Sequence, residues 1–347
     1  MSNIHRAVMV GCGGMSAAWL NAAKDIPNVE IVGLVDLNID STKQRKEKFE
    51  LSNAVCGTDI AKVIRESNAD VVFDCTIPEA HCDVTVTALN NNCHILGEKP
   101  MADSIENAKK MLKASKDNDK LYAVIQNRRY LDNIIKYKKL IDTKEIGELT
   151  TLNADFYMGI RFSSEDKIDF RDKMDHVLLL DMAIHSFDEA RFISGKDPIS
   201  VYCHSWNPKG SWYAHGASAQ VIFEMSDGMV FNYRGSWCAD GLSTSWECEW
   251  RAIGTKGTAK WDGHAGVTGQ VSTGENKFSK KVKDLDVVEP AKLELEGHKA
   301  LIAEFIRCID TGEKPQTICT DNIKSLQMVH SAIESANTGK KVMIQPL

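Results

Sequence analysis

No apolar stretch in this 347-residue chain approaches the ~18 residues that a membrane-spanning helix requires, so no membrane partner is expected. An excess of positive charge is also lacking. With 42 Lys and Arg against 48 Asp and Glu, the formal net charge of −6 gives no electrostatic case for binding nucleic acid or an anionic membrane surface. Ten cysteines occur without one Cys-x-x-Cys pair, which argues against a disulfide framework and against a structural zinc site. Reduced thiols in a cytoplasmic protein and no metal are the expectation. The opening Met1-Ser2-Asn3-Ile4-His5-Arg6 leads into a strand-like run and lacks a secretory h-region, in keeping with that location. No internal repeat is present.

What is present is the composition of a soluble globular protein, with 43% hydrophobic and 26% charged residues. A single core stops growing below this length, so two domains are expected. In the first part, short β-branched runs (7–10, 30–35, 71–75, 94–96, 122–125) alternate with helical patterns (15–24, 41–49, 60–66, 82–90, 104–115). That alternation predicts an α/β domain over residues 1–125, a doubly wound parallel sheet of Rossmann type. The texture then changes. Helices are expected at 133–142 and 177–194, strands at 148–157, 200–205, 217–225, 229–236, 245–253 and 257–261, and closing helices at 301–309 and 321–337. Asp227-Gly228 is a hairpin signal, and residues 126–347 read as an α+β domain with a mostly antiparallel sheet. The basic stretch Lys277 to Lys283 reads as a solvated loop.

Gly11-Cys12-Gly13-Gly14-Met15-Ser16 follows the first strand and opens the first helix, the context that a dinucleotide-binding turn requires. Gly11 would make the tight turn and Gly13 would let the backbone approach a pyrophosphate, whose charge the helix N–H groups would face. Ser16 stands where the third glycine is usual. Asp36 ends the second strand 20 residues after Ser16, the spacing of a carboxylate that bonds the adenosine ribose. Leu37 and Asn38 follow it, not an arginine, so NAD is favoured over NADP. Further strand ends would complete the cleft: Thr76-Ile77-Pro78 with His81 close behind, Glu98-Lys99-Pro100, and Gln126-Asn127-Arg128-Arg129. His81 and Arg128 read equally well as ordinary turn chemistry and half of a surface basic pair.

Lys99 occupies a privileged place. Pro100 fixes its own φ and pushes Lys99 towards extended geometry, and ligands of open α/β sheets gather at strand carboxyl ends. The stretch 178–188 is apolar nearly all round, as a buried helix would be, yet Asp181, His185 and Asp188 fall at i, i+4 and i+7 on one stripe. Three polar groups there suggest a wet cleft. The spacing fits equally an Asp–His hydrogen bond satisfied inside the core. A metal site lacks a matching carboxylate or cysteine cluster.

Together the glycine turn, Asp36, Glu98-Lys99-Pro100 and Asp181-x-x-x-His185 resemble the Gfo/Idh/MocA oxidoreductases, which include inositol, glucose–fructose and related sugar dehydrogenases. The resemblance runs over essentially the whole chain, including Gly254-Thr255-Lys256-Gly257 and the end of the last helix up to Gly339-Lys340-Lys341-Val342. It implies an NAD(P)-binding Rossmann domain followed by a domain whose large open sheet joins subunits into a homodimer or homotetramer. It also implies hydride transfer from a secondary hydroxyl of a sugar, glycoside or cyclitol. In that scheme His185 is the general base, Lys99 polarises the same oxygen, and Asp181 orients the substrate or the base. By family position Tyr157 and Arg171 are further pocket residues, and Arg128, at its strand end, is a substrate-binding candidate beside them. His176 departs from the glycine run common before the aspartate, and Ala183 stands where glycine is frequent; His176 reads as a specificity residue or a structural one. Two related activities stay open: glycoside hydrolysis through transient oxidation by a tightly held NAD, and ligand sensing without catalysis. Six of the seven tryptophans lie between Trp206 and Trp261, and Trp206, Trp212 and Trp237 are candidates for stacking on a sugar.

Overall fold

Strand His5–Val10 (β1) is buried along almost its whole length, as a strand covered on both faces must be. It lies inside a six-stranded parallel sheet with Val29–Val35 (β2), Val55–Gly57 (β3), Val71–Asp74 (β4), His94–Gly97 (β5) and Tyr122–Val124 (β6), in the order β3-β2-β1-β4-β5-β6. The computed structural model describes residues 3–164, 168–274, 280–287 and 292–346. Helices Ser16–Ala23 (α1), Ile39–Lys48 (α2), Ile60–Ser67 (α3), Pro78–Asn90 (α4) and Ile105–Asp117 (α5) fill the sequence between the strands. Strand order reverses between β1 and β4, so their carboxyl ends mark the topological switch point at which such sheets bind ligands. Strand β3 escapes sequence reading because three residues carry no periodic signal.

The second sheet has nine strands: Leu149–Tyr157 (β7), Pro198–Trp206 (β8), Ser218–Met225 (β9), Val230–Ser236 (β10), Glu249–Gly254 (β11), Gly257–Trp261 (β12), Val267–Thr273 (β13), Lys281–Asp284 (β14) and Val342–Met343 (β15). Their order is β14-β13-β12-β11-β7-β10-β9-β8-β15, antiparallel throughout except for the β7–β10 pair. The mostly antiparallel α+β architecture expected from the sequence is therefore present. Period-two alternation sets the two faces: Val221, Phe223 and Met225 point to the core while Gln220, Ile222 and Glu224 are exposed. Phe156, Phe187, Phe231 and Trp250 join Phe223 in that core, under helices Asp132–Asp142 (α6) and Ile184–Ser194 (α7). Strand β14 takes the place of part of the expected solvated loop, although its four residues are all exposed. Lys277, within that stretch, lies outside the described residues.

The chain divides into two compact units, Met1–Tyr130 with Glu294–Leu326 and Leu131–Leu293 with Gln327–Leu347. A single boundary after residue 125 thus gives way to a chain that returns to the first unit. Helix Gly297–Thr311 (α8) returns because Leu301, Ile302, Phe305 and Ile306 pack with Ala7, Met9, Trp19 and Phe73 in one core cluster. Each such side chain is worth ~1.5–3 kcal/mol when fully buried. Polar ties follow: His5 Nε2 lies 3.1 Å from Asp310 Oδ1, and Val124 N–H donates to Thr317 O at 3.1 Å. Helix Cys319–Thr338 (α9) contains the last boundary between units. Among the described residues, no helix is long and apolar enough to cross a membrane.

Candidate active site

The turn from β1 to α1 is fixed at its first two residues by hydrogen bonds. Gly11 has φ +87°, and a Cβ there would stand 2.6 Å from Cys75 O, so only glycine fits. Gly11 N–H donates to Val35 O and Cys12 N–H to Asp36 Oδ2, each at 2.8 Å. Asp36 Oδ1 accepts from Asn38 N–H at 2.9 Å, while the Asn38 side chain caps α2 by accepting from Asp40 N–H. The carboxylate is thereby fixed beside the turn. Cys12 turns its thiol inward, 3.7 Å from Val35 O, and burial pushes it up to about 12; only its backbone serves the turn. Gly13 and Gly14 face open space, since an added Cβ would meet nothing within 4 Å. Among the described residues, neither of their N–H groups has a hydrogen-bond partner. Two unpaired N–H groups at the start of α1 suit an anion such as a pyrophosphate. Exposed apolar side chains (Met15, Leu37 and Ile77) follow β1, β2 and β4, and suit the flat rings of a dinucleotide.

Beyond β4, Asp74 Oδ1 accepts from Thr76 N–H at 3.0 Å and from the Thr76 hydroxyl at 2.6 Å, and its Oδ2 lies 2.8 Å from His81 Nδ1. Burial disfavours a charged His81, but the adjacent Asp74 outweighs it and raises the imidazole above its ordinary value. His81 is 2% exposed, and its Nδ1 secures Asp74 and, through it, Thr76. Pro78 starts α4, where a missing N–H costs nothing. After β5, buried Glu98 accepts from Trp19 Nε1–H at 2.7 Å and from Lys99 N–H at 3.1 Å. Lys99 is half-buried, and the Lys99–Pro100 peptide is cis. After β6, the residues Asn127–Tyr130 form a 3₁₀ turn in which both arginines are buried, not a surface basic pair. Arg129 donates to Gln316 O and Asp321 Oδ2, each at 3.1 Å, so the returning chain is what buries it. His298 of α8 lies 3.3 Å from Asn127 Nδ2 and edge-on to Trp19, with burial lowering its pKa. No sequence signal pointed to it.

In the second unit, a π-helical segment, Leu178–Ala183, runs into α7 and carries Asp181. Such wide turns are rare and collect at functional sites. The stripe expected to expose three polar residues is open at only two of them. Asp181 and His185 stay partly exposed, whereas Asp188 is 1% exposed and belongs to the core. Arg171 Nε donates to Asp181 Oδ2 at 2.8 Å and its Nη1 to Asp169 Oδ1 at 3.2 Å, with Phe162 and Phe170 stacked on the guanidinium. Burial opposes the arginine charge, but Asp181 raises its pKa overall. Arg171 thus fixes the Asp181 carboxylate. His176 has φ +48°, with Nε2 3.0 Å from Asn337 Oδ1 and Nδ1 3.4 Å from Ser205 Oγ, which gives it a structural task. Tyr157 ends β7 half-buried, its N–H donating to Thr244 Oγ1 at 3.0 Å. Trp237 is a core residue edge-on to Phe156 and Phe162, and Trp212 donates to Ile160 O at 2.7 Å. Trp206 stacks on His204 on the exposed side of β8. Among the described residues, no cluster of three or more His, Cys, Asp or Glu side chains is arranged to hold a metal.

Comparison with known proteins agrees with this geometry. Residues 5–126 match the model of the oxidoreductase family with an NAD-binding Rossmann fold, and residues 134–260 match the Gfo/Idh/MocA C-terminal domain. The chain is 27% identical to an uncharacterised protein, y4oX, of Sinorhizobium fredii, over 98% of this chain and 96% of that one. It is 25% identical to a myo-inositol 2-dehydrogenase of Thermotoga maritima over 57% of each chain. Its fold is similar, with a TM-score of 0.83 and 22% identity over 98% of both chains, to an oxidoreductase from Agrobacterium radiobacter solved with NAD+, L-tartaric acid and magnesium. The chain belongs to the Gfo/Idh/MocA family of NAD-binding oxidoreductases.

Proposed function

We propose that the protein oxidises a secondary hydroxyl of a sugar, glycoside or cyclitol reversibly, as a cytoplasmic NAD-dependent dehydrogenase. The observation that carries this reading is the partly exposed His185, four residues after an Asp181 held by Arg171, in a chain that also places Lys99 at the end of β5. Bound NAD supplies the hydride acceptor. His185 takes the hydroxyl proton on its imidazole. The Lys99 ammonium donates a hydrogen bond to the same oxygen and stabilises its developing negative charge. Asp181 orients the substrate or the base. Asp36 holds the adenosine ribose and selects NAD over NADP, because a 2′-phosphate would meet its charge. The presence of both Lys99 and His185 speaks against a purely sensory role.

A panel of sugars, glycosides and inositols assayed for NAD reduction tests the reading. At least one member is expected to reach a kcat/KM of ~10⁴ M⁻¹s⁻¹ or more. Release of free sugar without net NADH would replace dehydrogenation by hydrolysis through transient oxidation, and a panel with neither signal would overturn the enzyme assignment.

The exposed side of the second sheet carries Tyr202, Ile222 and Ile253, with Ile222 50% exposed in mid-strand. We infer that this face joins subunits into a homodimer or homotetramer. Light scattering is expected to show an oligomer that Ile222→Glu converts to monomer; a monomeric wild type would refute it.

A further inference from the structure

Helix α2 sends one side chain back to the glycine turn. Arg45 Nε donates to Cys12 O at 3.1 Å, and its Nη2 to Gly13 O at 2.5 Å. Gly13 O also accepts from the Ser16 hydroxyl at 2.6 Å. In a trans peptide the carbonyl and the N–H that follows it point in opposite directions. Drawing Cys12 O and Gly13 O towards these donors therefore turns the N–H groups of Gly13 and Gly14 the other way. Among the described residues neither of those N–H groups has a partner, and a Cβ on either glycine would meet no atom within 4 Å beyond its chain neighbours. Unrestrained, consecutive glycines are the most mobile backbone in a protein, and their ordering would fall on ligand binding.

We propose that Arg45 is a positioning residue for the cofactor. Together with Ser16 it locks two successive peptide planes, so that the N–H groups of Gly13 and Gly14 already converge on the site of the pyrophosphate. The hydroxyl of Ser16 thus gives the third motif position a task that glycine lacks the atoms to perform. Guanidinium geometry matters here, because one planar fork spans two carbonyls where an ammonium reaches one. The inference rests on assigning the glycine turn to the pyrophosphate, an assignment that a separate variant tests.

The experiment titrates NADH, ADP and adenosine into the full-length protein and its variants. Arg45→Ala is expected to weaken NADH and ADP about tenfold and adenosine less than twofold, because only the first two carry phosphate. Arg45→Lys keeps the charge without the fork and is expected to recover only part of the loss. Lys43→Ala, which removes the same charge from the exposed side of α2, is expected to bind all three ligands as the wild type does. Wild-type NADH affinity in Arg45→Ala, full recovery in Arg45→Lys, or equal weakening of adenosine and ADP would each overturn the clamp. Normal NADH binding by Gly13→Val would instead overturn the assignment of the turn. Should Arg45→Ala fail to fold, Arg45→Lys against Lys43→Ala decides on the same criteria.

Discussion

Replacing Lys99 by alanine is expected to lower kcat by about 10³-fold while NADH still binds within a few-fold of the wild type. The magnitude follows from losing one preorganised donor to a developing oxyanion, which typically costs ~10²–10³ in rate, together with impaired proton removal from a hydroxyl no longer polarised. The protein should remain folded. Lys99 is half-buried, and alanine retains the backbone N–H that donates to Glu98. Lys99→Met, which keeps the stem without the charge, should fail equally. Turnover, NADH titration and thermal unfolding measured on the same preparations check all three statements. A kcat within tenfold of the wild type would remove Lys99 from the chemistry.

Gly13→Val is expected to leave stability unchanged and to weaken NADH binding by at least ~100-fold. A Cβ there would meet no atom within 4 Å beyond its chain neighbours, and Gly13 is absent from the positive-φ positions, so the substitution is expected to be tolerated. Such a substitution ordinarily moves stability by no more than ~0.5 kcal/mol. Its methyl groups would fill open space beside Gly13, so a pyrophosphate is expected to lose close approach to the Gly13 and Gly14 N–H groups. The neighbouring glycine separates binding from folding. At Gly11 the φ of +87° and the 2.6 Å approach to Cys75 O make any side chain a folding defect. Calorimetric titration and unfolding of Gly13→Val together give the result. Unchanged affinity in a folded variant would show that the dinucleotide lies elsewhere.

Much of the scaffold was legible because its signals are local. Alternating β-branched runs and amphipathic stretches announced the parallel sheet, and a glycine turn between strand and helix announced the dinucleotide. Other features were not. Arg128 and Arg129 read equally as part of the cleft or as a surface pair, and both are buried, Arg129 bonding to Gln316 and Asp321. Spacing put Asp181, His185 and Asp188 on one stripe but does not report how deeply the helix is covered, and Asp188 is buried in α7. Strands β13 and β14 carry sparse apolar character and pair chiefly through their backbones, which side-chain pattern does not report.

The amino-acid sequence was enough for the class of fold, the glycine turn, Asp36 and the family to which the chain belongs. Each depends on periods of two or 3.6 residues, or on motifs whose parts stand within a few tens of positions. The return of α8 to the first sheet, the grip of Arg45 on Cys12 and Gly13, the hold of Arg171 on Asp181 and the retreat of His81 behind Asp74 came from the folded molecule. A stripe of apolar residues states that a helix must be covered, but not by which surface. An arginine states that it will find acceptors, but not whose. Those choices are made by the summed burial of many side chains, and no local pattern contains that sum.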